Sequence, residues 1–452
     1  MAFIAPFRAV RFNTSKIKKL EEVVSPPYDV IDPAAQAVLS GKNQYNMIQL
    51  DLTKFGGTEI TDARYEGARA TFDQWQDEGV LLRDDVPAIY LYYIDYTLAN
   101  GNTYRRKGMS AMVRLHEFAE GVVKPHEKTF RSVTDDRLRL IDTCQAQFSQ
   151  IFSLYPDRAG QVMAALEKVC PEVPLCSATD QDGCLHTIYA VTDPAVIKEV
   201  QHFFTDRPVY IADGHHRYTT SLRLRETMVE RQGSVAENSP YNHIMMYLCP
   251  MEDPGLSVLP THRLVHVPGP MDAARLVDKL RDCFAVEEIK GGSREEQIFA
   301  VLERMADERQ KGTVFGMYEP AEDRCFLLCL KEGVMDKALG QDQPAALRSL
   351  DVVVLSELII DKILGLGHEK CDKEDLIHYY SDVDEALDRA VKESVRVSDR
   401  SPVLFLMNHT PVAQVKQVAD EDLFMPHKST YFYPKILTGL LINKIVADEE
   451  IR

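Results

Sequence analysis

The chain has 452 residues, 45% of them apolar and 27% charged, which is typical of globular proteins and excludes disordered and fibrous classes. Its 52 basic and 69 acidic side chains give a net charge of −17, which argues against a broad surface for nucleic acid or anionic lipid. The sequence contains neither a recognisable secretory signal nor an apolar run of about 20 residues, so we expect a cytoplasmic protein that binds neither membrane nor nucleic acid.

The predicted elements of the first half alternate between helices and strands. Residues 62–82 carry apolar side chains at helical spacing, and Trp75 is expected in the core of that amphipathic helix. Aromatic and branched runs flank Asn100-Gly101, a pair suited to the tight turn of a β-hairpin. Further expected elements are helices over 193–207 and 216–232 and strands over 208–212 and 242–250. The alternation predicts a mixed α/β (α+β) protein.

The second half resumes after a Gly-Pro pair in the stretch GPMDAARL, a plausible domain boundary. Its expected elements are helices over 271–282, 294–309 and 350–364, strands over 312–318 and 324–330, a cap and loop over 365–374, and a helical tail after 430. We predict an N-terminal α/β region, 1–265, that carries the PPYD, PHEKTF and DGHHR loops. A C-terminal α/β region, 266–452, follows, and its tail at 425–435 is expected to return to the site.

The stretch most indicative of chemistry is an apolar strand that runs into Asp213, Gly214, His215, His216 and Arg217 and then into a helix. Free backbone N–H groups at the helix start, close approach at the glycine and the forked arginine would together hold phosphate or carboxylate oxygens. Asp213 could cap the helix, bind a metal ion or accept a substrate proton. The alternative is a plain capped helix with polar surface residues.

A second charged segment is Lys124-Pro125-His126-Glu127-Lys128-Thr129-Phe130. Groups of both signs in one loop suit a phosphoryl-transfer or metal-assisted site, where a carboxylate takes a proton while cations neutralise phosphate. A solvated charged loop is the rival interpretation.

Three further loops place cations, hydroxyls or a tyrosine beside proline: Ser25–Asp29, Pro260–Arg263 and Pro426–Thr430. Each alone is typical of a turn, but together they suggest several loops converging on one anionic ligand. The Walker loop and the GxGxxG, HExxH and GxSxG motifs are absent from the sequence, which removes the usual signs of P-loop, dinucleotide-binding, zincin and hydrolase enzymes. Nine cysteines without CxxC spacing favour reduced thiols over zinc or disulfide frameworks.

These residues carry a resemblance to the domain-of-unknown-function family 1015 (DUF1015). The matching stretches are SPPYDVI, PHEKTF with the following DDRLRLI, QIFSLY, ADGHHRYTTSLRLRE, YLCPMEDPGLSVLPTHRLV and MPHKSTYFYPKILTGL. The DGHHR segment also resembles the nucleotide-binding segment of the ParB and sulfiredoxin superfamily, whose members include kinases of free L-serine. This second resemblance implies a ParB/sulfiredoxin-like nucleotide-binding core with an additional α/β region, and ATP or ADP as co-substrate with Mg²⁺.

The leading hypothesis is a small-molecule kinase that converts free L-serine to O-phosphoserine. The expected catalytic residues are Glu127, Asp213 and His216, with Glu127 or Asp213 as the base. Nucleotide phosphates are expected at Gly214, His215, Arg217, Lys128, Thr129, Lys428, Ser429 and Thr430. The substrate is expected at Tyr28, Asp29, His126, His262 and Arg263, while the metal ligands stay unknown.

Two other functions stay open. One is a nucleotide-binding regulatory or switch protein without kinase activity. The other is a redox phosphotransferase like sulfiredoxin, which would need a reactive cysteine where this chain has His215 or His216. The C-terminal half could form a second wall of the site or a platform for a homodimer.

Overall fold

The protein is described by a computed structural model that covers residues 1–52, 62–340, 343–395 and 399–452. The chain forms two compact units, one of Met1–Ser257 with Pro434–Arg452 and the other of Val258–Tyr433. Each unit combines helices with β-sheets, so the prediction of a mixed α/β protein is confirmed. Within the described ranges, no helix has both the length and the apolar character needed to cross a bilayer.

The first unit is built on a nine-stranded mixed sheet. Eight of its strands follow in the spatial order Val123–Lys124, Val209–Asp213, Ile151–Tyr155, His243–Pro250, Thr103–Arg114, Ile89–Thr97, Leu185–Val191 and Cys176–Thr179, and Ile4–Ala5 also pairs with Thr103–Arg114. Strand Val209–Asp213 runs parallel to Val123–Lys124 and antiparallel to Ile151–Tyr155. This arrangement brings the end of the DGHHR strand beside the start of the PHEKTF segment.

The first unit also contains a smaller sheet, seven α-helices and several short 3₁₀ helices among the residues that the structure describes. A smaller sheet has the order Leu81–Arg83, Ala9–Phe12, Ile442–Lys444 and Ala146–Gln147. The α-helices are Pro33–Lys42, Ile48–Asp51, Asp62–Asp77, Arg131–Cys144, Gln161–Glu167, Pro194–Phe203 and His215–Gln232. Short 3₁₀ helices are Leu20–Glu22, Tyr28–Val30, Phe118–Glu120, Phe204–Asp206 and Pro240–Asn242. The C-terminal strand Ile442–Lys444 shows that the chain returns to this unit after leaving it.

The predicted hairpin of the first unit is confirmed. Strands Ile89–Thr97 and Thr103–Arg114 pair antiparallel up to Thr97 opposite Thr103. Gly101 has a φ of 81°, a conformation that glycine adopts without steric cost. The long strands are buried along most of their length, and their side chains join a large apolar core with helices Gln161–Glu167 and Pro194–Phe203.

The second unit has a six-stranded sheet with helices. Its strands follow the order Phe284–Ile289, Arg324–Leu330, Val314–Glu319, Arg400–Leu406, His262–Pro268 and Ile377–Tyr380. A separate two-stranded sheet pairs Tyr431–Tyr433 with Ser257–Leu259. The helices are Ala273–Leu280, Arg294–Glu308, Val334–Leu339, Ala345–Arg348, Asp351–Val353, His368–Glu374, Val383–Ser394 and Val412–Asp420, with a π-helix over Val354–Ile363. Helices Arg294–Glu308 and Val383–Ser394 bury their apolar sides in the core of this sheet.

Three local predictions are wrong. The helix predicted over 62–82 ends at Asp77, because Gly79 turns the chain with a φ of 64°, and Leu82 lies in a strand, 40% exposed. Residues 365–374 are not only a cap and loop, since His368–Glu374 is a helix. The predicted helical tail after 430 consists of strands Tyr431–Tyr433 and Ile442–Lys444, because pairing with other strands outweighs its local sequence pattern.

The cysteine prediction agrees with the structure. All nine cysteines are free thiols, and six of them are buried. Burial raises the pKa of several of these thiols, to about 12 for Cys144 and Cys325. A protonated thiol is a poor nucleophile and a poor metal ligand, so these side chains act as apolar core residues.

Candidate functional site

The junction between strand Val209–Asp213 and helix His215–Gln232 turns at Gly214. Its φ is 99°, and a Cβ at this position would lie 3.0 Å from Arg217 Cζ and Nε. Glycine is therefore required twice, once for the backbone conformation and once for the close approach of the arginine. Gly214 has no side chain and so provides no side-chain cap for this 18-residue helix, and the first N–H groups of a helix are a common binding site for anions.

Asp213, just before that glycine, is held by two cations. Lys435 Nζ donates to Oδ1 at 3.0 Å, and Arg217 Nη2 donates to Oδ2 at 2.6 Å. Although burial disfavours the carboxylate, Lys435 and Arg217 hold the pKa of Asp213 well below its usual range. Asp213 is thus an ionised acceptor at neutral pH, and it fixes both cations at the helix start.

Arg217 is almost fully buried and joins several segments. It donates to the backbone carbonyl of Gln150, and its Nη2 lies 3.6 Å from Asp29 Oδ2. Burial opposes its charge, but Asp29 and Asp213 raise the pKa of Arg217 above its ordinary value. Its buried Nε has no hydrogen-bond partner in the described part of the chain, which leaves one strong donor to be satisfied.

The two adjacent histidines bind the PHEKTF segment. The His126 N–H donates to His215 Nε2 at 3.2 Å, and the Phe130 N–H donates to His216 Nε2 at 3.0 Å. The His126 and His215 rings pack edge to face at 4.6 Å, while Phe130 stacks on His216 at 5.8 Å. A ring nitrogen that accepts from a backbone N–H carries no proton, so each Nδ1 is the protonated nitrogen of a neutral ring.

Glu127 lies next to this histidine pair. Its Oε2 is 4.0 Å from His215 Nδ1, and its side chain is 21% exposed. Burial lowers the pKa of His126 to about 4 and lowers the pKa of His215 well below its ordinary value, so both rings are neutral at pH 7. The neutral His215 can orient the Glu127 carboxylate, and bound ligands often tighten such distances. Lys128 in the same segment is exposed and Thr129 is half-buried.

The Tyr28–Asp29 segment borders the same region through a second buried ion pair. Arg137 lies 4.4 Å above the Tyr28 ring, and its Nη1 donates to Asp51 Oδ1 at 3.0 Å. Burial raises the pKa of Asp51, although Arg137 and a hydrogen bond from Ser149 oppose the shift. Tyr28, Asp51, Arg137, Ser149 and Arg217 line one cavity of about 50 Å³.

Lys435 belongs to the tail, 425–435, that was expected to return to the site, whereas Arg137, Asp51 and Gln150 were not among the residues assigned a role there. The sequence signal for Arg137 exists, because it belongs to the DDRLRLI stretch that follows PHEKTF. Asp51 lies at the end of a helix with an unremarkable sequence, and the expected return of the tail did not identify Asp213 as the partner of Lys435. Of the predicted site residues, those assigned to nucleotide or catalysis that lie together are Glu127, Asp213, Gly214, His215, His216 and Arg217, and they are joined in the first unit by His126, Tyr28 and Asp29, which were assigned to the substrate.

Apart from Lys128 and Thr129, which belong to the first unit, the other predicted residues belong to the second unit. His262 and Arg263 begin strand His262–Pro268 rather than forming a loop, and both are buried. The His262 Nδ1 accepts from the Met407 N–H at 3.1 Å, and Arg263 donates to the Thr261 and Lys428 carbonyls at 2.6 and 3.3 Å. Burial lowers the pKa of His262 to about 4 and that of Arg263 to about 10.

The segment around Lys428 is a tight turn. Lys428 has a φ of 57°, and the buried Ser429 Oγ donates to the Pro426 carbonyl at 2.6 Å. The Thr410 hydroxyl donates to the Ser429 carbonyl at 2.9 Å. The visible contacts of Ser429 are therefore those of a turn, and its role with Lys428 and Thr430 in phosphate binding stays a prediction.

A comparison with solved structures finds several matches of low identity. A mutant of free serine kinase in complex with AMP is 13% identical, over 73% of this chain and 92% of that chain, with a TM-score of 0.33. A conserved hypothetical protein from Pyrococcus furiosus is 14% identical, over 73% and 95% of the two chains, with a TM-score of 0.32. SbnI with a C-terminal truncation, from Staphylococcus aureus, is 10% identical, over 75% and 90%, with a TM-score of 0.35.

Comparison at the level of sequence assigns the chain to a family. No curated protein sequence matches it significantly. A family model does match, over residues 4–353, which include the PPYD, PHEKTF and DGHHR segments but not the tail stretch MPHKSTYFYPKILTGL. Because the match spans most of the chain, this protein belongs to the family described as protein of unknown function (DUF1015).

Proposed function

We propose that the first unit is a phosphotransferase that moves a phosphoryl group from ATP or ADP to the hydroxyl of free L-serine. The observation that carries the proposal is the pair of cations, Arg217 and Lys435, fixed by Asp213 at the uncapped start of helix His215–Gln232. Helix N–H groups and buried cations together are the common means of binding phosphate oxygens.

The fixed cations suit phosphoryl transfer in particular. The transferred group carries negative charge on its equatorial oxygens, and the protein contributes mainly by positioning and by stabilising that charge. Asp213 keeps Arg217 and Lys435 in place before the nucleotide arrives, so little reorganisation is needed when the phosphate binds. The unsatisfied Arg217 Nε offers one further donor in the same buried region.

Glu127 is the base in this proposal, and Asp213 is not. The low pKa of Asp213, caused by Lys435 and Arg217, makes it a weak proton acceptor. Glu127 is partly exposed and next to the neutral His215, where a substrate hydroxyl can reach it. The Glu127 carboxylate takes the serine hydroxyl proton while the serine oxygen bonds to the terminal phosphorus, and the bond from that phosphorus to the nucleotide oxygen breaks.

The carboxylates of the first unit fit a magnesium ion that arrives with the nucleotide. Mg²⁺ is usually held by one or two carboxylates, with water and substrate phosphates as its remaining ligands. Asp29, whose side chain is 36% exposed and near Arg217, would hold it together with Asp213. When bound, the ion would neutralise phosphate charge in addition to the two cations.

The proposal is tested by incubating the purified chain with L-serine and Mg-ATP or, separately, Mg-ADP, and by following O-phosphoserine with phosphorus NMR. We expect product with at least one donor. A chain that binds nucleotide but forms no O-phosphoserine with either donor is not a serine kinase, and the nucleotide-binding switch then becomes the better hypothesis.

A pair of variants tests the assigned base. Glu127→Gln should lower turnover by at least about 100-fold while nucleotide binding is retained, because only proton transfer is removed. Glu199→Gln, an exposed change in the same unit, is the matched control and should leave turnover unchanged. Equal turnover in the two variants would remove Glu127 from the mechanism.

A further inference from the structure

We propose that the second unit binds a divalent cation, with Zn²⁺ as its best match, through His266, His378 and Glu393. One ligand atom from each of these residues lies within 4.8 Å of the others. None of these three residues takes part in the proposed kinase chemistry, since all three belong to Val258–Tyr433 and that chemistry uses residues of the first unit.

The three ligands come from elements that pack together in the second unit. His266 lies on strand His262–Pro268, and His378 lies on the neighbouring antiparallel strand Ile377–Tyr380. Glu393 lies in the last turn of helix Val383–Ser394, which packs on these strands. Two strands and a helix therefore direct imidazole and carboxylate groups to one point at the edge of the sheet.

The contact between His266 and Glu393 is unlike an ordinary ion pair. Nε2 and Oε2 are 3.0 Å apart and both atoms are buried, yet neither makes a hydrogen bond of acceptable geometry within the described residues. A metal ion binds between two such atoms when each of them directs a lone pair toward the same point. In tetrahedral Zn²⁺ sites, bonds of about 2.0–2.2 Å place ligand atoms roughly 3.3 Å apart, close to the separation seen here.

His378 supplies the third ligand from the solvent side. Its ring centroid is 4.9 Å from that of His266, and its side chain is 27% exposed. Its Nε2 lies 3.2 Å from Asp375 Oδ2, and a carboxylate on a histidine nitrogen is a common means of orienting a metal-bound ring. The exposure leaves a path for the ion and room for water as a fourth ligand.

The surrounding charges leave the ligands available. Arg389 pairs with the other oxygen of Glu393, Oε1, and so leaves Oε2 for the ion. Imidazole ligands favour Zn²⁺ over Mg²⁺ or Ca²⁺, which prefer oxygen.

Such an ion would fasten helix Val383–Ser394 to the edge strand Ile377–Tyr380. The test strips the full chain of metal with EDTA, adds Zn²⁺, removes the excess by dialysis, and measures bound zinc and the thermal midpoint. We expect His378→Ala to retain about one equivalent of zinc less than the unaltered chain. We also expect Zn²⁺ to raise the midpoint of the unaltered chain by at least about 4 °C, because an ion that binds only the folded state stabilises it.

Two controls keep the test decisive. His202→Ala removes an exposed histidine of the first unit and should retain the zinc and the thermal shift of the unaltered chain. Glu393→Gln, of nearly equal shape, repeats the test should His378→Ala fail to fold, as judged by circular dichroism. The proposal is wrong if the unaltered chain retains no zinc, if both site variants retain as much as it does, or if Mg²⁺ produces the same thermal shift.

Discussion

Arg217 in the first unit and Arg263 in the second are both buried, but their surroundings differ in kind. Arg217 contacts the carboxylates of Asp213 and Asp29, and these raise its pKa. Arg263 donates to two backbone carbonyls, and burial lowers its pKa to about 10. The first arginine belongs to a balanced set of charges, whereas the second is a buried cation bonded to neutral groups.

This difference separates a binding centre from a structural contact. Opposite charges that hold one another in place can replace part of their mutual attraction by attraction to a charged ligand, at little cost in free energy. A guanidinium that joins two carbonyls mainly stabilises the turns that provide them. The contacts of Arg263 are with the carbonyls of Thr261 and Lys428, two segments expected from the sequence to bind an anion.

The largest effect is expected from Arg217→Met, which removes the arginine that is paired with carboxylates. Removing one partner leaves the largely buried Asp213 with less compensation, so we expect a loss of about 3–5 kcal/mol in the free energy of unfolding. Urea denaturation of the full chain measures it. The double variant with Asp213→Asn should recover part of the loss, and a strictly additive double variant would contradict the pairing.

Acid should weaken both regions through their buried histidines, His126 and His262. Each has a pKa lowered from 6.5 to about 4, so the unfolded chain binds a proton that the folded chain does not as the pH falls below 6.5. Stability is therefore lost on acidification, by about 3 kcal/mol per histidine between pH 7 and pH 4. His126→Gln and His262→Gln should each flatten the pH dependence of the urea midpoint. An unchanged slope would show that the ring concerned is already protonated when folded.

Arg263→Met is the corresponding substitution at the arginine that is bonded only to backbone carbonyls among its hydrogen-bond partners in the described residues. The carbonyls of Thr261 and Lys428 lose a donor, but the chain no longer buries a cation without a carboxylate. We expect a smaller loss than for Arg217→Met, about 1–2 kcal/mol in the same urea measurement. A loss larger than that of Arg217→Met would reverse the interpretation of the two sites.

An effect on stability as small as that of Arg263→Met is expected from Gly214→Ala. A φ of 99° and the 3.0 Å approach to Arg217 should cost about 1–2 kcal/mol of stability and weaken nucleotide binding. Gly183→Ala is the matched control, because Gly183 also has a positive φ, 80°, but a Cβ added there would meet no atom of the described residues within 4 Å. Equal effects on nucleotide affinity would show that the turn at Gly214 does not shape the site.

The local parts of the fold and of the candidate site could be predicted from the sequence. Asn100-Gly101 and Gly214 mark turns that few other residues can make, and the apolar periods around them predict the flanking strands and helix. We expected the PHEKTF and DGHHR segments to lie together only because both carry groups suited to binding phosphate. In the structure, the ring nitrogens of His215 and His216 accept hydrogen bonds from backbone N–H groups of the PHEKTF segment, and these bonds join the two segments. The ParB/sulfiredoxin-like core and the role of each residue stay predictions.

The sequence by itself determined the mixed α/β class, the glycine turn at the start of a long helix and the presence of charged segments in the first unit. Only the tertiary structure decided which charges meet. Lys435 reaches Asp213 across 222 positions, and His266, His378 and Glu393 gather from two strands and a helix. The physical reason is that turns and periodicity depend on neighbouring residues, whereas charge pairing and ligand clusters depend on how distant elements pack.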